Sequence, residues 1–177
     1  MSENRLDPTV AGLFMTAVIA LVFGFLGIEL YCHDLSWGLA SIATGLSAVI
    51  GIVFLVLTVS AIRFGNAFAT SLFAFVGVAL IAVMICFPAS WFAFVLLAIF
   101  FVVFALIGFL VGAPKLLSIM LVLIALLFLF VGLFLNDGPK FYDENVYAIL
   151  FGIFGLLGGL VALYLSFALS TEKLPVF

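Results

Sequence analysis

Charge is what this sequence has least of. Only 7% of its 177 residues are Asp, Glu, Lys or Arg, against 69% hydrophobic, and the mean hydropathy is +1.60. A soluble globule needs far more polar surface, so the chain reads as an integral membrane protein. The shortage extends to reactive groups. There is one histidine, and the two cysteines are Cys32 and Cys86. No His and Cys set has metal-ligand spacing, no glycine-rich loop leads into a phosphate-binding lysine, and no nucleophile has a base near it. Catalysis, a metal and a cofactor are therefore not expected. The net charge of −3 is scattered over polar joints, which argues against nucleic acid as a partner and against a polybasic lipid patch. Alternating polar and apolar stretches, the mark of a membrane barrel, are also missing. Backbone groups cannot be left unpaired in lipid, which leaves an all-α helical bundle.

Six apolar runs are present, and they predict six transmembrane helices in a single domain: about 9–31, 37–60, 67–87, 90–111, 116–135 and 146–169. Asp7 can cap the first, with Pro8 at its first helical position, where a missing N–H costs nothing. The run from Thr9 to Tyr31 is long enough to cross a hydrocarbon core about 30 Å thick. It shows no small-x-small cleavage site and is expected to be retained. Ala61-Ile62-Arg63-Phe64-Gly65-Asn66 turns the chain into the third run, which Pro88 ends. Ser90 and Trp91 open the fourth as cap and interface anchor, and Gly112-Ala113-Pro114-Lys115 breaks it. The longest polar joint runs from Asn136 to Asn145. An even number of spans puts both termini on one side, where Arg5, Arg63, Lys115 and Lys173 stand against Lys140 alone on the other. By the positive-inside bias the termini are cytoplasmic, in a multi-pass protein of the cell membrane.

Small residues recur at helical spacing. Gly12, Thr16, Ala20, Gly24 and Gly27 do so in the first span, Gly38, Ser41, Gly45, Ala48 and Gly51 in the second, and Ala148, Gly152, Gly155, Gly159, Ala162 and Ser166 in the last. Such stripes serve close helix packing, and the same faces can line a pore. Glu29, the one acidic residue within an apolar run, precedes His33 by one helical turn, so the pair could form a pH-sensing mouth; the plain alternative is a carboxylate at the headgroups. Cys32 and Cys86 both fall near the outer interface, where a disulfide is conceivable and small packed thiols are the simpler reading. The 23 phenylalanines are expected to face lipid or fill the bundle.

Four places resemble the acetate uptake transporter family, also called the succinate–acetate transporter family. Asp7-Pro8-Thr9-Val10-Ala11-Gly12-Leu13 is similar to its Asn-Pro-Ala-Pro-x-Gly-Leu signature, with Asp for Asn and Val for the second Pro. Gly65-Asn66-Ala67-Phe68-Ala69-Thr70-Ser71 is similar to its Gly-Asn-Thr-Phe-Gly-x-Thr motif. Gly112-Ala113 sits at its glycine-rich break, and Gly155-Leu156-Leu157-Gly158 with Ala162, Tyr164 and Leu174-Pro175 follows its last span and tail. The resemblance implies a six-helix protomer, a homohexamer and a narrow apolar constriction in each protomer. Laid on this chain, that constriction is Thr16, Val76 and Leu123, where relatives tend to have Phe, Tyr and Leu.

These readings predict a path past Pro8, Gly12, Leu13 and Thr16 on the first span, Asn66, Thr70, Ala74, Val76 and Gly77 on the third, and Leu123 on the fifth. Hydroxyl and amide groups would line its cytoplasmic half, and Val76 with Leu123 a dry neck that disfavours bare charge. The leading function is a channel or proton-coupled transporter for small monocarboxylates, chiefly acetate. A channel for small neutral solutes such as urea, amides or ammonia stays open, favoured by the loss of aromatic constriction residues and by Glu29 with His33. A third reading is a non-transporting structural or stress-response membrane protein.

Overall fold

The structure is a computed structural model describing residues 7–32, 37–86, 91–137 and 146–171. Six helices follow one another: α1 (Pro8–Cys32), α2 (Trp37–Arg63), α3 (Ala67–Cys86), α4 (Trp91–Leu110), α5 (Lys115–Asp137) and α6 (Val146–Thr171). Among the described residues five helices are long and apolar enough to cross a membrane, and α3 contributes a shorter apolar stretch, Ala67–Ala82. His33, Asp34, Pro88, Ser90, the joint from Gly138 to Asn145 and the tail after Thr171 lie outside the described residues.

Local chemistry sets the helix ends. Asp7 Oδ1 accepts the Thr9 N–H at 2.9 Å, and Asn66 Oδ1 accepts the Ala69 N–H at 3.0 Å, so α1 and α3 start on side-chain caps. The ends of α2 and α4 repeat one device. Gly65 and Gly112 have φ of 70° and 75°. Past them the Asn66 N–H reaches Ala61 O at 3.2 Å and the Ala113 N–H reaches Gly108 O at 2.9 Å. Each is the closing bond of a Schellman turn, in which a left-handed residue lets the chain reverse and satisfies carbonyls the helix leaves open. With no breaker before Gly65, α2 runs on to Arg63, beyond the apolar run expected to stop near Ser60.

Helices adjacent in sequence are neighbours in space, and α6 returns to α1. Contact is most extensive between α1 and α6, then α4 and α5, then α2 and α3, and among helices adjacent in sequence it is least between α3 and α4. Glycine explains the first of these. A Cβ on Gly27 would lie 2.6 Å from Ala148 O and from Gly152 Cα, and one on Gly155 2.8 Å from Gly24 Cα, so the two backbones touch. Ser166 on α6 adds a hydrogen bond from Oγ to Val10 O at 3.1 Å. Membrane helices lack a hydrophobic drive to associate, and this intimacy of dispersion contact replaces it. Gly51 and Gly77 join α2 to α3 likewise, each Cβ position falling about 3 Å from the other's carbonyl oxygen. The α3–α4 seam differs in kind. There Phe75 meets Phe100, Phe101 and Phe104 with ring centroids 5.1, 5.5 and 5.4 Å apart, so long side chains span what glycine closes elsewhere.

The small-residue stripes divide accordingly. The α6 stripe from Ala148 to Ser166 is buried throughout. In α2, Gly51 packs on α3 while Gly45 has nothing within 4 Å of a Cβ, so that stripe is not one surface. In α1, Gly24 and Gly27 go to α6 and Gly12 faces Phe73 of α3.

Candidate functional site

Two spaces lie in line within the bundle. The first, a vestibule of about 350 Å³, opens at the end where α1, α3 and α5 begin; its wall includes Asp7, Thr9, Leu13, Asn66, Leu72, Phe73, Pro114 and Leu169. The second, of about 40 Å³, lies deeper between α1, α3 and α5, with Thr16, Val76, Ala79, Met120 and Ile124 in its wall. Leu13, Leu72 and Phe73 belong to both walls and form the partition.

The vestibule is polar at its rim because helix starts gather there. Asp7 and Asn66 hold their caps, and the Leu117 N–H closes the first turn of α5 on Pro114 O at 2.9 Å. The positive ends of three helix dipoles thus point toward a space that also holds the Asp7 carboxylate.

The inner cavity has the opposite character. Thr16 is the one wall residue with a polar side chain, and its hydroxyl donates to Gly12 O at 2.9 Å; the wall presents no polar atom to the space. By volume the cavity holds roughly three water-sized spheres, yet apolar cavities of this kind stay dry for want of polar partners. Its far end is closed by rings. Phe128 stacks on Phe101 with centroids 5.5 Å apart and 10° between planes, and Phe23 sits 6.3 Å from Phe128. From Gly12 to Phe23, at about 1.5 Å per residue, the apolar zone is about 16 Å deep.

The expected path residues separate on this geometry. Gly12, Leu13, Thr16 and Val76 line the inner cavity, and Asn66 lines the vestibule. Pro8 is buried at the head of α1, and Thr70 and Ala74 are half-buried; none of these three is in either wall. Gly77 is in the α2 seam, against Leu55 and Gly51. Leu123 does not reach the cavity. Its Cβ lies 3.5 Å from a Cβ position on Gly158 of α6, and Leu121, Ile124, Leu127 and Phe128 form the α5 wall instead. One residue is about 100° of helix rotation, so the face that holds 121, 124, 127 and 128 turns 123 toward α6. Glu29 is half-buried in the last turns of α1, at the end remote from the vestibule. Cys32 carries a free, exposed thiol. Among the described residues no His, Cys, Asp and Glu gather closely enough to hold a metal ion.

Phe73, Phe54, Phe101 and Phe128 in the cavity wall carry no mark in the sequence that separates them from packing phenylalanines. The one available signal was Phe73, two helical turns after Asn66 and so on the face below the vestibule.

No protein-family model matches the chain, and no curated protein matches it by sequence. Among solved structures it is similar to the bacterial acetate channel SatP, with a TM-score of 0.77 and 15% sequence identity over 98% of this chain and 100% of that one. The two share a fold over nearly their whole lengths, and the all-helical bundle expected from the sequence is the one observed.

Proposed function

We propose that this chain is a membrane channel or proton-coupled transporter for small monocarboxylates, chiefly acetate, and that the undissociated acid is the species that crosses. The observation that carries this is the dry cavity placed directly behind a vestibule that has Asp7, Thr9 and Asn66 in its wall. An ion moved bare into such a space loses hydration worth many kcal/mol, with no donor to replace it. A neutral acid of four heavy atoms gives up far less, and its methyl group suits an apolar wall. Urea, with two amide groups and nothing to bond to, is served less well by the same wall. The SatP likeness supports the reading through the fold, and what that protein conducts is carried over here as part of the proposal.

The proposal includes six spans with cytoplasmic termini, which places the vestibule on the cytoplasmic side, and residence in the cell membrane. It includes a homohexamer as well. Gly45 looks out from α2 with nothing against it, leaving room for the close approach of a second copy.

Flux of acetate, succinate and urea into proteoliposomes of the purified protein at two external pH values tests the reading. Acetate should exceed both others, and rise as pH falls. Urea faster than acetate at either pH would move the assignment to neutral solutes, and no flux of any solute to a structural role.

A further inference from the structure

We propose that the Phe73 ring, seated on Gly12, is the size-selecting gate of this path. The inference rests on the reading of the chain as a conduit for small carboxylates, and it names the residue that sets which ones pass.

Of the three side chains in the partition, Phe73 alone brings an aromatic ring, and it is 4% exposed. The tip of that ring, Cε1 and Cζ, occupies the place a Cβ on residue 12 would take. The seat therefore exists only because residue 12 has no side chain. The Phe54 ring of α2, with its centroid 5.6 Å away and tilted by 50°, also packs against it. One turn deeper, Thr16 and Val76 are smaller, so the bulk that separates the cavity from the vestibule stands at Phe73, while the rings of Phe23, Phe101 and Phe128 close the far end.

The ring can also move without the backbone. It is held by two side-chain torsions, and it borders open space on both sides, about 350 Å³ in the vestibule and about 40 Å³ in the cavity. Rotation toward the vestibule uncovers Gly12 and joins the two spaces while α1 stays fixed on α6. An acetate-sized acid needs only a small excursion of the ring, and each added methylene requires a larger one. Discrimination by chain length follows from this single contact. Gly12 is then a positioning residue, acting through Phe73.

A thiol behind the gate tests this independently of what is transported. In a background of Cys32→Ala and Cys86→Ala, Thr16→Cys places a reporter in the inner cavity, and the small neutral reagent methyl methanethiosulfonate is added to reconstituted protein. Modification should be slow with Phe73 present and at least tenfold faster with Phe73→Ala. Gly12→Ala, which pushes the ring off its seat, should speed it severalfold. Combined with Phe73→Ala it should add nothing, since its effect passes through a ring no longer there. In flux assays the preference for acetate over butyrate should fall at least tenfold in Phe73→Ala and by less in Phe73→Leu, which keeps the partition filled if the alanine variant folds poorly. Equal thiol reactivity in the parent, in Phe73→Leu and in Phe73→Ala overturns the gate. Faster thiol modification without carboxylate flux in any variant leaves the gate standing and rejects the carboxylate reading.

Discussion

Adding one methyl group at Gly27 should destabilise the protein by about 2 kcal/mol, although alanine is the better helix former. A Cβ there falls 2.6 Å from Ala148 O and from Gly152 N and Cα, where ordinary carbon contacts lie at about 3.5–4.0 Å. All three atoms are backbone, so no rotamer change can relieve the overlap, and α1 and α6 must part by about 1 Å. A gap of that size forfeits roughly a quarter to a half of each dispersion contact along the seam. Overpacking of a tight site costs about 1–3 kcal/mol, and immovable neighbours put this one at the upper end; helix propensity returns about 1 kcal/mol. Gly45 is the control, with nothing within 4 Å of its Cβ position, so Gly45→Ala should gain up to about 1 kcal/mol from propensity alone. The two variants then differ by about 3 kcal/mol, or roughly a hundredfold in folded-to-unfolded ratio. SDS titration in mixed micelles, followed by tryptophan fluorescence, reads the difference. Equal midpoints for Gly27→Ala and Gly45→Ala refute the argument that backbone contact holds α1 to α6.

Three further outcomes follow from other parts of the molecule. Ser118 Oγ is buried without a hydrogen-bond partner, so Ser118→Ala should raise stability by about 1 kcal/mol in the same titration, and a loss of that size would mean that the hydroxyl has a partner. Acetate uptake at fixed total concentration should rise roughly tenfold per unit between external pH 7 and 6, because a carboxyl with pKa near 4 is almost wholly ionised there; a flat profile would show that the anion crosses. Arg63 and Asn136 lie at opposite ends of the bundle, so single cysteines at the two positions should label from opposite sides, with Asn136→Cys reacting from outside; reaction of Arg63→Cys from outside inverts the proposed orientation.

The parts legible in the sequence were those written in local chemistry. Asp7-Pro8, Gly65-Asn66 and Gly112-Ala113-Pro114 mark helix ends because capping and left-handed turns depend on a few adjacent residues. The α6 stripe announced close packing through spacing alone, but its partner could not be read, since α2 offers small residues at the same spacing and leaves Gly45 open. The face of α5 was beyond reach for a related reason. From Met120 to Ile124 every position is apolar, and with no polar contrast around the helix nothing distinguishes Leu123 from Ile124. Phe73 was hidden among 23 phenylalanines; only the opposed Gly12 gives it a role, and that pairing is a tertiary fact.

The phenylalanine seam between α3 and α4 gives the bundle an elastic asymmetry. Glycine backbones in contact have no soft coordinate, so α1 and α6 part only by losing their whole shared surface. Rings tethered through two torsions do have one, and Phe75 can slide over Phe100, Phe101 and Phe104 while contact is kept. The two seams therefore differ in what a small displacement costs, and the α3–α4 seam is the one whose side chains can follow it. Phe73 is carried on α3, the helix on the yielding side, while its seat at Gly12 is carried on α1, the helix on the rigid side.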